Sequence, residues 1–131
     1  MSANRQRSDR IASSDHPVLI LSEDAVVAAL LGGLVETLGY QVQFARPPES
    51  PEDSLRRLKP RICLVSSDDP AVARSEFLGR AAMRGVCVVI FGTAEALEHV
   101  RKVAIDHNLD TLLMPPELDD LEEVLQRANA G

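Results

Sequence analysis

Residues 18–44 read VLILSEDAVVAALLGGLVETLGYQVQF, and this stretch decides the fold. Val18 to Leu21 is a short, continuous apolar run, as expected of a strand buried on both faces of a sheet. Ala25 to Leu38 follows, with Val27, Leu30, Leu31, Leu34, Val35 and Leu38 at helical spacing. Gly39 suits the position just past a helix end. Tyr40 to Phe44 then alternates Tyr40, Val42 and Phe44, the pattern of an edge strand. Strand, helix and strand in so short a span predict a βαβ unit.

The same alternation continues to the end of the chain. Ser50 can cap a short helix that starts at Pro51, where Glu52 and Asp53 complement its dipole and Leu55 and Leu58 point inward. Pro60 stops it, and Ile62 to Val65 is a third strand. Asp69-Pro70 opens a helix expected to run to about Arg84. Val86 to Phe91 is a fourth strand, Ala94 to His107 a helix, Thr111 to Leu113 a fifth strand, and Leu118 to Ala128 a last helix with Leu118, Leu121, Val124 and Leu125 inward. Five strands alternating with five helices predict a parallel sheet covered on both faces. Ligands of such sheets bind at the carboxyl ends of the strands. Residues 1–16 are polar and charged and read as a disordered arm; residues 17–131 read as one domain.

Composition bounds the function. The chain has 131 residues and a net charge of -6, with mean hydropathy near zero. It lacks the basic excess of a nucleic-acid-binding surface. No tryptophan is present and aromatics total 3%, so no base-stacking platform exists. No run is long enough to span a membrane and no secretory signal opens the chain, so the cytoplasm is the expected compartment. Cys63 and Cys87 lie in strand-like runs and read as buried small hydrophobes. His16, His99 and His107 are scattered. After the first strand the chain reads Ser22-Glu23-Asp24-Ala25-Val26-Val27, without the glycines of a dinucleotide fingerprint.

At the carboxyl ends of the strands stand Ser22, Glu23 and Asp24, then Ser66 to Asp69, then Gly92 and Thr93, then Met114 and Pro115. In spacing and flanks these segments resemble the receiver domain of two-component response regulators. The likeness covers residues 17 to about 128. It implies a flavodoxin-like α/β fold: a doubly wound, five-stranded parallel sheet in the order 2-1-3-4-5. Pro60 and Pro70 bracket the third strand with the family's spacing, which puts Ser66 at the phosphoacceptor aspartate. The run from Leu112 to Leu121 matches the family's fifth strand, Lys-Pro and last helix, which puts Met114 at the lysine. Ser22 and Glu23 fall on the acidic pair that holds magnesium, and Thr93 on the conserved hydroxyl. The family often has a cis peptide at its Lys-Pro, and the resemblance implies one at Met114–Pro115.

The replacements remove chemistry. Receiver phosphorylation forms an acyl phosphate, so the nucleophile must be a carboxylate; a serine needs a neighbouring base, and none is legible. Magnesium wants several hard oxygen ligands, and Ser22 and Ser66 lower the charge available. Met114 cannot neutralise a phosphoryl group. The expectation is a pseudo-receiver that is no enzyme, holds no magnesium or other cofactor, and acts by contact with a signalling protein or with a second copy of itself. Two alternatives are a receiver phosphorylated at a shifted acceptor, Asp68, and a small-ligand sensor using the vacated pocket. A contact surface is expected on the first helix, where Ala25, Ala28, Gly32 and Glu36 would form an outward strip of small residues.

Overall fold

The computed structural model describes residues 16–130; the arm expected at residues 1–16 lies, except for His16, outside them. Five strands form one sheet in the order β2-β1-β3-β4-β5. They are β1 (Val18–Leu21), β2 (Val42–Phe44), β3 (Ile62–Ser66), β4 (Cys87–Gly92) and β5 (Asp110–Leu113). All pairings are parallel, with Val18 opposite both Val42 and Ile62, Ser66 opposite Phe91, and Gly92 opposite Leu113. The flavodoxin-like order expected from the sequence is the order found.

Each strand alternates its side chains between two cores. Val18, Ile20, Ile62, Leu64, Val89 and Phe91 pack under α1 (Ala25–Thr37) and, at the far end of the chain, the helix Leu118–Ala130. Leu19, Leu21, Cys63, Val65, Val88 and Ile90 pack under α2 (Pro51–Leu58) and α3 (Ser75–Met83). Two short helices, α4 (Ala94–His99) and α5 (Arg101–Asp106), complete that side, and Leu118–Ala130 is α6. β1 and β3 are buried along almost their whole length, which is why they read as unbroken apolar runs. Cys63 and Cys87 are both free. Ile62 is the residue opposite Cys87, so Cys63 faces the other side of the sheet and no disulfide geometry is available.

Four expectations need correction. The helix expected from Asp69 to Arg84 is two pieces, a 3₁₀ turn Pro70–Ala73 and α3. Arg74 between them is extended, at φ -103° and ψ 109°. Its guanidinium crosses to α2, with Nη2 2.8 Å from Glu52 Oε2. The helix expected from Ala94 to His107 also breaks, at Val100, whose amide donates to the Leu97 carbonyl at 3.2 Å instead of to Ala96, one residue further back. Finally, α1 is rotated from the face expected of it. Ala28 and Gly32 are buried with Leu31 and Val35, whereas Leu30 is 56% and Val26 77% exposed. Of the expected outward strip, Ala28 and Gly32 therefore pack on the sheet, while Ala25 and Glu36 are exposed as expected. Leu118 too is exposed, at the start of α6, where an inward position was expected.

Candidate functional site

The loops after β1, β3, β4 and β5 meet at the carboxyl end of the sheet, and most of the singled-out residues have a definite local role there. Asp24 caps α1: its Oδ1 accepts from the amides of Val26 and Val27 at 3.0 and 3.1 Å. Ser22, half-buried, is locked into the same turn, its Oγ accepting from the Asp24 amide at 3.1 Å. Glu23 is exposed. Ser66 is the last residue of β3 and half-buried; its Oγ accepts from the Asp68 amide at 3.3 Å. Asp68 itself is exposed, two residues beyond the strand. Asp69 caps the 3₁₀ turn through Oδ1 and the Ala71 amide, 2.9 Å apart. Thr93 caps α4, accepting from the Ala96 amide at 3.2 Å. These caps are a physical reason for Asp24, Asp69 and Thr93 that requires no ligand.

Backbone bonds carry the sheet pattern one residue past the strands. The Ser67 amide donates to the Phe91 carbonyl at 2.8 Å, and the Met114 amide to the Gly92 carbonyl at 2.9 Å. Ser67, Gly92 and Met114 thus form a row at the strand ends. The fit at its centre is tight: a Cβ on Gly92 would stand 2.5 Å from Ser67 Oγ. Met114 is half-buried and packs against the core under α1 and α6. Its peptide bond to Pro115, which is exposed, is cis, as is that of Pro47–Pro48.

The Ser66 hydroxyl accepts from the Asp68 amide, and among the described residues no titratable side chain is hydrogen-bonded to it. Among the described residues no three or more His, Cys, Asp or Glu side chains come together to hold a metal ion. Ser22 is bound into the α1 turn and Asp24 and Asp69 are engaged as caps, which leaves Glu23 and Asp68 as the carboxylates without such a role, a poor fit to a magnesium ion.

A cavity of about 590 Å³ opens beside this site. It shares Ser22 and Glu23 with it, but its other walls are Phe44, the Pro47–Pro48 loop and Asp69 to Arg74. It therefore lies on the β2 side of the strand ends and does not include Ser66, Thr93 or Met114. Its β2-side wall is held by a residue that sequence reasoning passed over. Glu49 accepts from the Arg46 amide at 2.9 Å, the buried Ser54 hydroxyl at 2.7 Å and Arg57 Nε at 2.6 Å. The Arg57 guanidinium, the Arg46 amide and the Ser54 hydroxyl hold the Glu49 carboxyl well below the usual carboxylate range. Ser54 inside a predicted helix was the available signal: a hydroxyl buried on an apolar face demands a partner.

The chain matches no protein-family model and no curated protein. Solved structures are similar to it over almost its full described length. One is the receiver domain of a sensor histidine kinase from Pseudomonas aeruginosa, solved with magnesium in its active-site cleft. It is 21% identical, the match covers 88% of this chain and 98% of that one, and the TM-score is 0.71. A response regulator receiver domain from Bermanella marisrubri is 14% identical over 87% of this chain and 98% of that one, with a TM-score of 0.70. A protein described as pilus-assembly-related from Burkholderia pseudomallei is 21% identical over 89% and 92%, with a TM-score of 0.69. The fold is that of response regulator receiver domains.

Proposed function

We propose that this chain is a receiver-type signalling domain of a two-component or phosphorelay pathway that is not phosphorylated and works by protein contact. The observation that carries the reading is Ser66. It ends β3 at the centre of the sheet, where acyl-phosphate chemistry requires a carboxylate. Met114 supports it, packing into the core where a lysine would face the phosphoryl group. On this reading the domain is no enzyme and needs no magnesium. It works in the cytoplasm and binds neither nucleic acid nor membrane. No described helix is long and apolar enough to cross a membrane.

The contact surface we assign is the outer face of α1, on the corrected register. Val26, Ala29, Leu30 and Gly33 are exposed there, and Glu36 is the helix's one charged residue. An exposed apolar strip of that kind suits a partner helix from a signalling protein, or a second copy of this chain. Incubation with acetyl phosphate and magnesium tests the inert site directly: the intact mass stays unchanged. A gain of one phosphoryl group that mild base removes contradicts the reading, and its mapping to Asp68 establishes a shifted acceptor.

A further inference from the structure

The amino-terminal end of the sheet carries a second pocket, and its charge is unbalanced. Pro60 and Arg61 precede β3, Gly85 and Val86 precede β4, and His16 stands two residues before β1; together with Lys59 and Arg84 they enclose about 400 Å³. This is the opposite end of the sheet from Ser66 and Met114. Leu55, Pro60 and Val86, all buried, supply an apolar floor. Lys59, Arg61 and Arg84 supply an exposed cationic rim. His16 adds a ring whose Nδ1 donates to the Lys59 carbonyl at 2.8 Å. Among the described residues no acidic one lines the pocket.

Two facts set this cluster apart from scattered surface charge. The first is pairing. Arg56, Arg57, Arg74, Arg80, Arg101, Lys102 and Arg127 all have carboxylate partners. Among the described residues only Arg46, Lys59, Arg61 and Arg84 have none, and three of these four meet in one pocket. In a chain of net charge -6, carboxylates are not scarce, so the vacancy is local. The second is magnitude. Lys59 and Arg84 follow the carboxyl ends of α2 and α3, and each helix end carries about -0.5 charge. Two such ends offset about one cation of the three, which leaves the pocket with an excess of about two.

We propose that this pocket binds a small organic anion, with a phosphate or carboxylate head on the Arg61 and Arg84 guanidiniums and a compact apolar body on Leu55, Pro60 and Val86. Guanidinium forks match both head groups bidentately. The volume falls within the roughly 300–1,000 Å³ of small-molecule sites. The pocket adds a ligand input that is independent of the strand ends where receivers are phosphorylated.

The test is an amide NMR titration of the full chain with phenyl phosphate at low salt. Saturable shifts are expected at Arg61, Gly85 and Val86, with Ser66 and Met114 unmoved. Inorganic phosphate binds more weakly for want of the apolar body, and benzylamine, of opposite charge, produces no shift at these positions. Arg61→Glu combined with Arg84→Glu weakens binding by about tenfold or more, whereas Lys102→Glu, a single charge reversal on α5, leaves it within about twofold. Should the double variant unfold, Arg61→Gln alone loses several-fold. An absence of saturable shifts, equal shifts with benzylamine, or equal weakening by Lys102→Glu overturns the proposal.

Discussion

Gly32 of α1 lies so close to Phe44 of β2 that a Cβ on the glycine would stand 3.1 Å from Phe44 Cζ. Val42 Cγ1 and Ile20 Cδ1 follow at 3.5 and 3.8 Å. The helix therefore sits down on β2 and β1 at this point, and a branched side chain here must push them apart. Gly33, one residue on, meets nothing within 4 Å. Two adjacent glycines have opposite reasons for tolerance. Gly33→Ala is expected to raise stability by about 0.5–1 kcal/mol, the helix-propensity difference. Gly32→Leu is expected to lower it by about 1–3 kcal/mol through overpacking. Chemical denaturation of both variants checks the pair.

At the centre of the candidate site the close contact is between strands. Gly92→Ala places a methyl 2.5 Å from Ser67 Oγ and 3.1 Å from its Cβ, while the Ser67 amide stays tied to Phe91. A loss of about 1–3 kcal/mol is expected. Ser67→Gly should recover most of it, so a double-mutant cycle will show strong coupling. Additive effects would mean that the two residues do not meet as described.

The Glu49 clasp predicts a pH dependence. Its carboxyl is depressed in the folded state from the ordinary value of 4.5. A depressed acid stabilises fully above its unfolded pKa, and that stability is lost as pH falls through the folded pKa. Glu49→Gln should therefore melt lower than the parent at neutral pH, and the gap should narrow as pH drops below 4.5. Melting temperatures across that range measure it; a constant gap would place the effect in packing and not in charge.

On α1 the expected contact face can be separated from the core. Leu30 is 56% exposed, so Leu30→Arg should change stability by no more than about 0.5 kcal/mol while abolishing capture of the signalling partner. Ala28→Arg, by contrast, should unfold the domain, because Ala28 is buried against the sheet. Binding that survives Leu30→Arg would remove this face from the account.

The fold was legible because β1, β3 and β4 are continuous apolar runs set between helix signals, and burial on both faces writes itself directly into composition. The carboxyl-end residues were legible because strand ends and prolines fix their positions. The rotation of α1 was not. Val26, Val27, Leu30, Leu31, Leu34, Val35 and Leu38 cover about half of the helix circumference, so periodicity alone does not choose the buried face; the close approach of Gly32 to Phe44 decides it. The break at Arg74 was hidden for a similar reason, since an ion pair to Glu52 across two elements holds it. The Glu49 clasp and the basic pocket are likewise made by tertiary proximity, which spacing along the chain does not encode.

The most direct measurement supplies the groups that the proposed function takes to be missing. The variant carrying Ser22→Asp, Ser66→Asp and Met114→Lys is treated with acetyl phosphate and magnesium beside the parent chain, and both are weighed intact. If the strand ends keep receiver geometry and only the reactive groups are missing, the variant gains one base-labile phosphoryl group and the parent gains none. Phosphorylation of the parent, or a folded variant that stays unmodified, contradicts the account.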